Sequence, residues 1–330
     1  MRILVTGAGG FIGLTLVETL LGQGDDVIAL NDWPLSAVAQ RNFAALPGHL
    51  ETLEADVRDR SRLAQALRRS APEAVLHGAA ITLGPDAAPR EAERAIAVNT
   101  LSTAILLEEA AAAGVRRFVY PSSSAVYGAA PFAGTPVDEE APTAPLGLYG
   151  FTKLASETLV REAGHSKALE TVCARITAAF GPWEHETGVR QTLSPPWQVA
   201  RSVLNQRPFS LAKGGARDWT SSLDIAAALA RLLKAERSAA DVYNLGLGKV
   251  WTPDLLAEAL ARRRPVQMTL QDGMGPHSVA YNDDLSRKRA PISAARFTRE
   301  FGFKFMTPDQ AVDDYAAWLD RIGPDDFNAI

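Results

Sequence analysis

Ile3-Leu4-Val5-Thr6-Gly7-Ala8-Gly9-Gly10-Phe11-Ile12-Gly13 is the stretch that decides the fold class of this chain. A short apolar run suited to a strand enters a glycine cluster, and Ile12, Leu16, Val17 and Leu20 then recur at helical spacing. Glycines at 7, 10 and 13 let the chain turn tightly, bring backbone close to a ligand and pack the helix on the strand. A helix starting there aims free N–H groups and the positive end of its dipole at an anion, such as a dinucleotide pyrophosphate. The spacing is G-x-x-G-x-x-G rather than G-x-G-x-x-G. A flexible turn would also use such glycines, but the strand before and the helix after argue for the phosphate-binding turn. Gly22 and Gly24 stop the helix, and a strand at 27–30 ends in Asn31-Asp32. An acid at that distance from the glycines binds adenosine ribose hydroxyls.

Outward from this unit, strands and helices alternate. Strands are expected at 50–55, 74–77, 117–120 and 169–175, and helices at 36–45, 61–69, 91–113 and from Tyr149 to 163. Such alternation makes a parallel sheet covered by helices on both faces. The expected fold class is α/β, a Rossmann doubly wound parallel sheet over residues 1–182. Beyond Gly181-Pro182 the elements are shorter and mixed. Helices are expected at 197–205, 223–234 and 253–262, with a strand at 241–245 and a polar loop through Lys213-Gly214-Gly215. Thr252-Pro253 reads as an N-cap with proline at the first helical position. Thr307-Pro308-Asp309-Gln310 reads as a capping box opening a last helix to 322. Residues 183–330 are therefore expected to form a smaller mixed α/β substrate lobe, some of whose segments rejoin the sheet, with a loose tail at 323–330.

Composition narrows the function classes. The 330 residues are 47% hydrophobic and 22% charged, as in an ordinary globular protein. Lys plus Arg is 34 and Asp plus Glu 38, a net charge of -4, with no nucleic-acid footprint. The single Cys173 sits in an apolar strand-like run, so no internal disulfide forms and a buried structural thiol is expected. No leader-like segment precedes the first strand and no apolar stretch approaches a membrane span, so no membrane partner and a cytoplasmic location are expected. The five histidines (49, 77, 165, 185, 277) lack metal-ligand spacing, and no metal is expected. His77 ends a strand and reads as a packed, hydrogen-bonded residue. Glu184-His185-Glu186 falls in a loop expected to line the cleft, where a solvated loop is the plainer reading.

Tyr149-Gly-Phe-Thr-Lys153 puts a phenol and an ammonium one helical turn apart. A phenol near pKa 10 is a poor base at neutral pH, and a neighbouring cation favours phenolate. Alone, such a pair is common on any helix. With the glycine turn and the Ser122-Ser123-Ser124 run, it reads as the acid/base of a hydride-transferring enzyme.

Taken in order, Thr6-Gly7-x-x-Gly10-x-x-Gly13, Asp56-Val57, His77-Gly78-Ala79-Ala80, Asn99, Ser122-Ser123-Ser124-Ala125-Val126-Tyr127-Gly128, Tyr149-x-x-x-Lys153, Arg175, Phe180-Gly181-Pro182 and Arg217-Asp218-Trp219 resemble the extended short-chain dehydrogenases/reductases. Within these they resemble the NAD-dependent epimerase/dehydratase group typified by UDP-galactose 4-epimerase. The likeness is dense over residues 1–182 and thin afterwards. It implies NAD as cofactor, with Gly7, Gly10, Phe11 and Ile12 on the pyrophosphate, Asn31 and Asp32 at the adenosine ribose, and Asp56 and Val57 on adenine. It also implies cofactor contacts from Gly78, Ala79, Ala80, Asn99, Ser122 and Thr177. The implied catalytic set is Ser123, Tyr149 and Lys153, the lysine binding the nicotinamide ribose and depressing the tyrosine pKa. A sugar-like substrate would meet Ser123, Ser124, Thr82 and Arg217, with Asp218 as a structural partner of that arginine. The resembled family dimerises through a four-helix bundle, which implies a homodimer built from residues 101–113 and 149–160.

Departures from the group's pattern bear on the reaction. Ser124 and Ala125 stand where its dehydratases carry two acids, which argues against dehydration. Ile176-Thr177-Ala178-Ala179 lacks the Asn that its epimerases place after the arginine of the sixth strand. The segment before Arg217 is also shorter than usual. Oxidation of a nucleotide-sugar alcohol and dehydrogenation of a free sugar, sugar acid or polyol are both expected readings. A non-catalytic NAD(P) sensor is a third, opposed by the intact Ser123, Tyr149 and Lys153. Asp32 would repel a 2′-phosphate, and no arginine follows at once, Arg41 being the nearest downstream, so NAD rather than NADP is expected.

Overall fold

The computed structural model describes residues 1–83, 90–165, 169–188, 193–212, 214–271, 279–281 and 287–330. Lys213 and His277 lie outside them. In chain order β1 (Arg2–Thr6), α1 (Phe11–Gly22), β2 (Asp26–Asn31), α2 (Ala37–Phe43), β3 (His49–Glu54), α3 (Arg60–Ser70) and β4 (Ala74–His77) alternate strictly. Next come α4 (Ala92–Ile96), a π-helical turn (Ala97–Leu101) and α5 (Ser102–Ala112), then β5 (Arg117–Ser123), α6 (Leu148–His165) and β6 (Glu170–Ile176). The remainder holds β7 (Ala178–Phe180), α7 (Pro195–Leu204), β8 (Phe209–Ala212), β9 (Trp219–Ser221), α8 (Ser222–Lys234) and β10 (Val242–Leu245). It ends in α9 (Asp254–Arg263), β11 (Met268–Gln271), α10 (Ala295–Phe301) and α11 (Pro308–Ala329).

Seven parallel strands form the main sheet in the order β10-β6-β5-β4-β1-β2-β3. It is a Rossmann sheet with a smaller mixed lobe after it, and β10 rejoins the sheet from the later half of the chain. Successive strand residues point to opposite faces. Ile3, Val5, Val27 and Ala29 enter one core with Leu16 of α1, Val38 of α2 and Leu229 of α8. Leu4, Ile28 and Leu30 enter the other with Leu63 of α3 and Leu106 of α5. Burial on both faces explains why these strands read as continuous apolar runs. Cys173 lies fully buried in the second core. The strand order reverses between β1 and β4, and in such sheets ligands bind beyond the carboxyl ends of the strands at that point.

Four expectations from sequence change. The helix expected at 91–113 is interrupted by the π turn around Asn99. The Asn99 amide is spent across elements: Oδ1 accepts from Ile81 N at 2.8 Å, and Nδ2 donates to Ile81 O and Thr152 Oγ1, each at 3.0 Å. Thr103 and Ser156 hydroxyls donate to its carbonyl at 2.9 and 2.8 Å. Single π turns of this sort are frequent at functional sites. The same run, 92–112, is by length and composition the one described helix able to cross a membrane, against the expectation that no apolar stretch approaches such a span. Here Asn99, Thr103, Leu106 and Ala110 are buried against the fold, which makes it a core helix.

The tail is the third change. Residues 323–329 continue α11 as helix beyond a kink at Gly323 and Pro324. Phe327 is 3% exposed, stacked on Trp197 with centroids 5.8 Å apart and edge-on to Trp318 at 6.4 Å. An aromatic anchor, invisible to local pattern, holds the segment down. Thr307 and Gln310 do form the expected capping box. Around Thr252, by contrast, α9 starts one residue late, with Pro253 at the cap and no side-chain cap. Replacing Phe327 by Ala is expected to cost about 3 kcal/mol of unfolding free energy, as large-to-small aromatic truncations do; urea unfolding of the two proteins checks this.

Candidate active site

Gly10 caps α1 without a side-chain hydrogen bond, so the first-turn N–H groups face outward at the end of β1. The helix can start there because Gly13 carries no side chain: a Cβ on it would stand 2.1 Å from Gly7 O. Gly7, Gly10, Phe11 and Ile12 line one end of a cavity of about 490 Å³ that also takes in Gly78, Ala80 and Thr82. Its middle is walled by Ser122, Ser123, Ser124, Tyr149, Lys153 and Thr177, and its far end by His185, Arg217 and Arg289. A recess of about 100 Å³ opens beside the glycine turn, between Asn31, Asp32, Trp33, Asp56, Val57 and Ala79. Uncapped N–H groups, a glycine cradle and an apolar recess with acids at its rim fit a dinucleotide laid across the crevice.

Asn31 and Asp32 divide their labour. Asn31 is buried; its Oδ1 accepts from Gly9 N at 3.3 Å and its Nδ2 donates to Trp33 O at 3.1 Å. It braces the glycine turn, while Asp32 is exposed at the recess. Arg41, the nearest arginine downstream in the sequence, instead pairs with Asp326 at 2.7 Å. The arginines that do line the recess, Arg58 and Arg94, come from other elements and carry no sequence signal linking them to Asp32. Arg58 is held by the Asp56 carboxylate through Nε at 3.0 Å and Nη2 at 2.5 Å. That hydrogen-bonded guanidinium keeps Asp56 below its ordinary pKa.

Tyr149 stands in the first turn of α6 and Lys153 one turn on. The turn approaches the segment after Ser123 closely because residue 150 is glycine: a Cβ there would meet Ala125 O at 2.7 Å. Ser123 ends β5, and its Oγ accepts from Ala125 N at 3.2 Å. Lys153 is buried; Nζ donates to Pro121 O at 2.7 Å and lies 4.7 Å from the Tyr120 ring centroid and 5.9 Å from that of Tyr149. Burial lowers its pKa to about 8, with the Glu157 carboxylate opposing the shift.

Beneath the cavity floor lies a polar network that sequence reading did not assemble. Glu157 accepts a forked pair from Arg175, Nε to Oε1 at 3.0 Å and Nη2 to Oε2 at 2.8 Å, and also the Ser122 hydroxyl. Arg175 Nη1 donates to Tyr127 OH at 3.0 Å, whose own hydrogen goes to Asn244 Oδ1 at 2.7 Å. Burial by itself would lower the Arg175 pKa; the hydrogen-bonded carboxylate more than offsets this, and it rises. Asn99, an expected cofactor contact, is buried with its amide committed to Ile81 and Thr152. The Thr177 hydroxyl pairs with that of Thr220 at 2.9 Å.

At the far end, Asp218 binds backbone: its carboxylate accepts from Gly248 N at 3.1 Å and Ile292 N at 3.0 Å. Glu184 is buried and accepts from Ser194 N at 2.8 Å, and Glu186 pairs with Arg201 at 2.7 Å. Between them His185 joins the cavity wall. Its Nδ1–H donates to Trp183 O at 2.9 Å, which leaves Nε2 an acceptor, and burial lowers its pKa. Trp183 has φ 69, a strained value for so large a residue, and is clamped by Glu18 at its ring N–H.

His77 is a packed residue below the glycine turn. Ser102 donates to Val98 O, so its oxygen accepts from His77 Nε2 at 3.0 Å. Nδ1 then accepts from Thr6 Oγ1 at 2.8 Å, and Ala79 N donates to Thr6 at 3.3 Å. This relay fixes a neutral tautomer, and burial lowers the His77 pKa to about 3. Because the folded value lies below the ordinary 6.5, the unfolded chain binds the proton first. The stability is therefore present above pH 6.5 and falls with acid by about 1.4 kcal/mol per pH unit down to 3. Urea unfolding at pH 7, 6 and 5 should show a shallower acid loss in His77→Gln than in the wild type.

A family model described as the NAD dependent epimerase/dehydratase family matches residues 3–246. A UDP-glucose 4-epimerase of Erwinia amylovora is 33% identical over 275 residues, covering 76% of this chain and 79% of its own length. One of Azospirillum brasilense is 32% identical over 180 residues, 54% of this chain; there the chain spans about half (49%) of the relative's length. Among solved structures, the UDP-glucose 4-epimerase of Stenotrophomonas maltophila with bound NAD and formylated UDP-arabinopyranose superposes with a TM-score of 0.80 at 25% identity, covering 98% of this chain and 100% of that one.

Proposed function

The chain belongs to the NAD-dependent epimerase/dehydratase family, and from that premise we propose that it oxidises a secondary alcohol on the sugar of a nucleotide sugar, with Tyr149 as acid/base. Its cofactor is NAD. The observation that carries the reading is the meeting of Tyr149, Ser123 and Lys153 in the cavity that begins at the glycine turn. A bound NAD, held at the glycine turn, would supply the hydride acceptor for the alcohol carbon. Tyr149 removes the hydroxyl proton. Lys153, a buried cation 5.9 Å from the tyrosine ring, favours the phenolate that this requires. Ser123 uses its oxygen to accept from Ala125 N, which leaves its O–H to donate to the substrate oxygen. The glycine turn would hold the pyrophosphate, and Asp32 and the Asp56 recess the adenosine end of the dinucleotide. Arg217 at the far end suits a diphosphate.

A second reading is net dehydrogenation of a free sugar, sugar acid or polyol. It is favoured by the stretch 176–179, which has no Asn and whose Thr177 hydroxyl is spent on Thr220. The two readings share their first step and differ in whether the ketone turns over and takes the hydride back. Assay of NADH formation and of epimer interconversion over UDP-sugars, aldonates and uronates separates them. In either case Tyr149→Phe should lower kcat on the order of a hundredfold or more while NADH titration is unchanged. Full turnover in that variant would sink the acid/base assignment.

Self-association is also proposed. Leu101 and Phe151 are 53% and 55% exposed, on the π turn and on α6, and Ile96 at the end of α4 is 43% exposed. Exposed apolar side chains grouped on packed helices mark an association surface. Light scattering at micromolar concentration should give a dimer mass, and Phe151→Glu together with Leu101→Glu should give the monomer.

A further inference from the structure

We propose that Glu157 is a positioning residue for the reaction: its carboxylate holds the charge on Lys153, so that the Tyr149–Lys153 pair gives up the phenol proton rather than the ammonium proton. The inference rests on the reading that Tyr149 is the acid/base.

Order along one helix face is the first observation. Tyr149, Lys153 and Glu157 follow one another at intervals of four residues on α6. Each therefore lies about one turn, roughly 6 Å along the axis, from the next. Glu157 is one turn from the ammonium and two from the phenol. Lys153 and Glu157 are 3% and 1% exposed, where salt and water screen little. Arg175 adds a fourth charge, forked onto Glu157, and turns its Nη1 to Tyr127 OH. With a phenolate at 149 the four groups alternate in sign. Glu157 also accepts the Ser122 hydroxyl, next to the Pro121 carbonyl that receives Lys153 Nζ at 2.7 Å. The carboxylate is thus fixed against the same stretch of β5 as the ammonium.

The scarcity of anions around Lys153 is the second. Tyr149 and Glu157 of α6, Tyr120 of β5, Cys173 of β6 and His77 of β4 surround it. Burial pushes the Cys173 thiol and the Tyr120 phenol up, so both stay uncharged at neutral pH. His77 is held neutral by its relay to Thr6 and Ser102. Among the described residues Glu157 is then the one fixed negative charge acting on the ammonium. A lysine buried to this degree sheds its proton readily unless an anion holds it.

Two protons on two coupled groups leave in two steps that belong to the pair. The first loss gives either a phenolate beside an ammonium or a phenol beside an amine. Only the phenolate can take a proton from an alcohol. A negative charge one turn from the lysine and two from the tyrosine stabilises the ammonium more than it opposes the phenolate.

The test follows the near-ultraviolet absorbance of the Tyr149 phenolate as pH rises, with and without NAD. Each protein is read against the same protein carrying Tyr149→Phe. Glu157→Gln keeps an oxygen for Ser122 and drops the charge; in it the phenolate should appear about one pH unit higher than in the wild type. That variant leaves Arg175 as an unpaired buried charge, so Glu157→Gln with Arg175→Met, which removes both charges, is measured beside it and should show the same upward shift. Glu157→Asp, which keeps the charge, should titrate close to the wild type. An unchanged titration in either folded neutral variant would overturn the proposal and leave Glu157 holding only the Ser122–Ser123 segment, with turnover reduced equally at every pH. A shift in Glu157→Gln that the double variant lacks would belong to the stranded arginine and would also overturn it. The titration needs no turnover, so its failure is distinct from that of the acid/base reading, which lies in full activity of Tyr149→Phe.

Discussion

The buried pair of Glu157 and Arg175 is the constraint on which the reactive half of the molecule rests. Their side chains are 2% and 5% exposed and share a forked hydrogen bond. Two charges taken out of water are costly unless every lone pair and N–H is used. Here they are used on the parts that must not move. Glu157 holds Ser122, the residue between the Pro121 carbonyl that anchors Lys153 and the Ser123 hydroxyl. Arg175 holds Tyr127, at the other end of the short loop that begins at Ser123. One ion pair thus pins both ends of that loop to α6 and β6. Losing either partner would strand the other as a buried charge, at a cost of about 3–5 kcal/mol.

The glycine turn and the Tyr149 turn solve the same problem by removing atoms. Gly13 admits the carbonyl of Gly7, and Gly150 admits that of Ala125. Each lets a helix start against a loop, which leaves N–H groups or a phenol facing the cavity rather than packed away. The bracing behind them is polar and satisfied: Thr6, His77 and Ser102 under the first turn, Asn99 and Thr152 under the second. Pre-set geometry of this kind is what lets a weak acid such as a phenol act in place.

The far end of the cavity is assembled differently. Its walls come from segments around residues 185, 217 and 289, which are remote in sequence. Asp218 ties two of them by accepting from the backbone of Gly248 and Ile292. The acids of that wall, Asp218 and Glu184, are spent on holding it together. In the proposed reading the chemistry falls to the Rossmann half, and the later segments wall the rest of the cavity.

Much of this was legible in the sequence for a physical reason: local motifs carry local constraints. The glycine turn, the strand runs, the i, i+4 phenol and ammonium and the Thr307 capping box each depend on neighbours within a few residues. The parallel order of the sheet followed, because a strand, a helix and a strand can pack only a few ways. What tertiary structure alone decided involves partners far apart in the chain. Arg58 and Arg94 at the adenosine recess, the split roles of Asn31 and Asp32, the π turn at Asn99, the anchoring of the tail by Phe327 on Trp197, and the cavity wall shared by His185, Arg217 and Arg289 all arise that way. No spacing rule links such residues, because the distance that matters to a charge or a ring is through space, and only packing sets it.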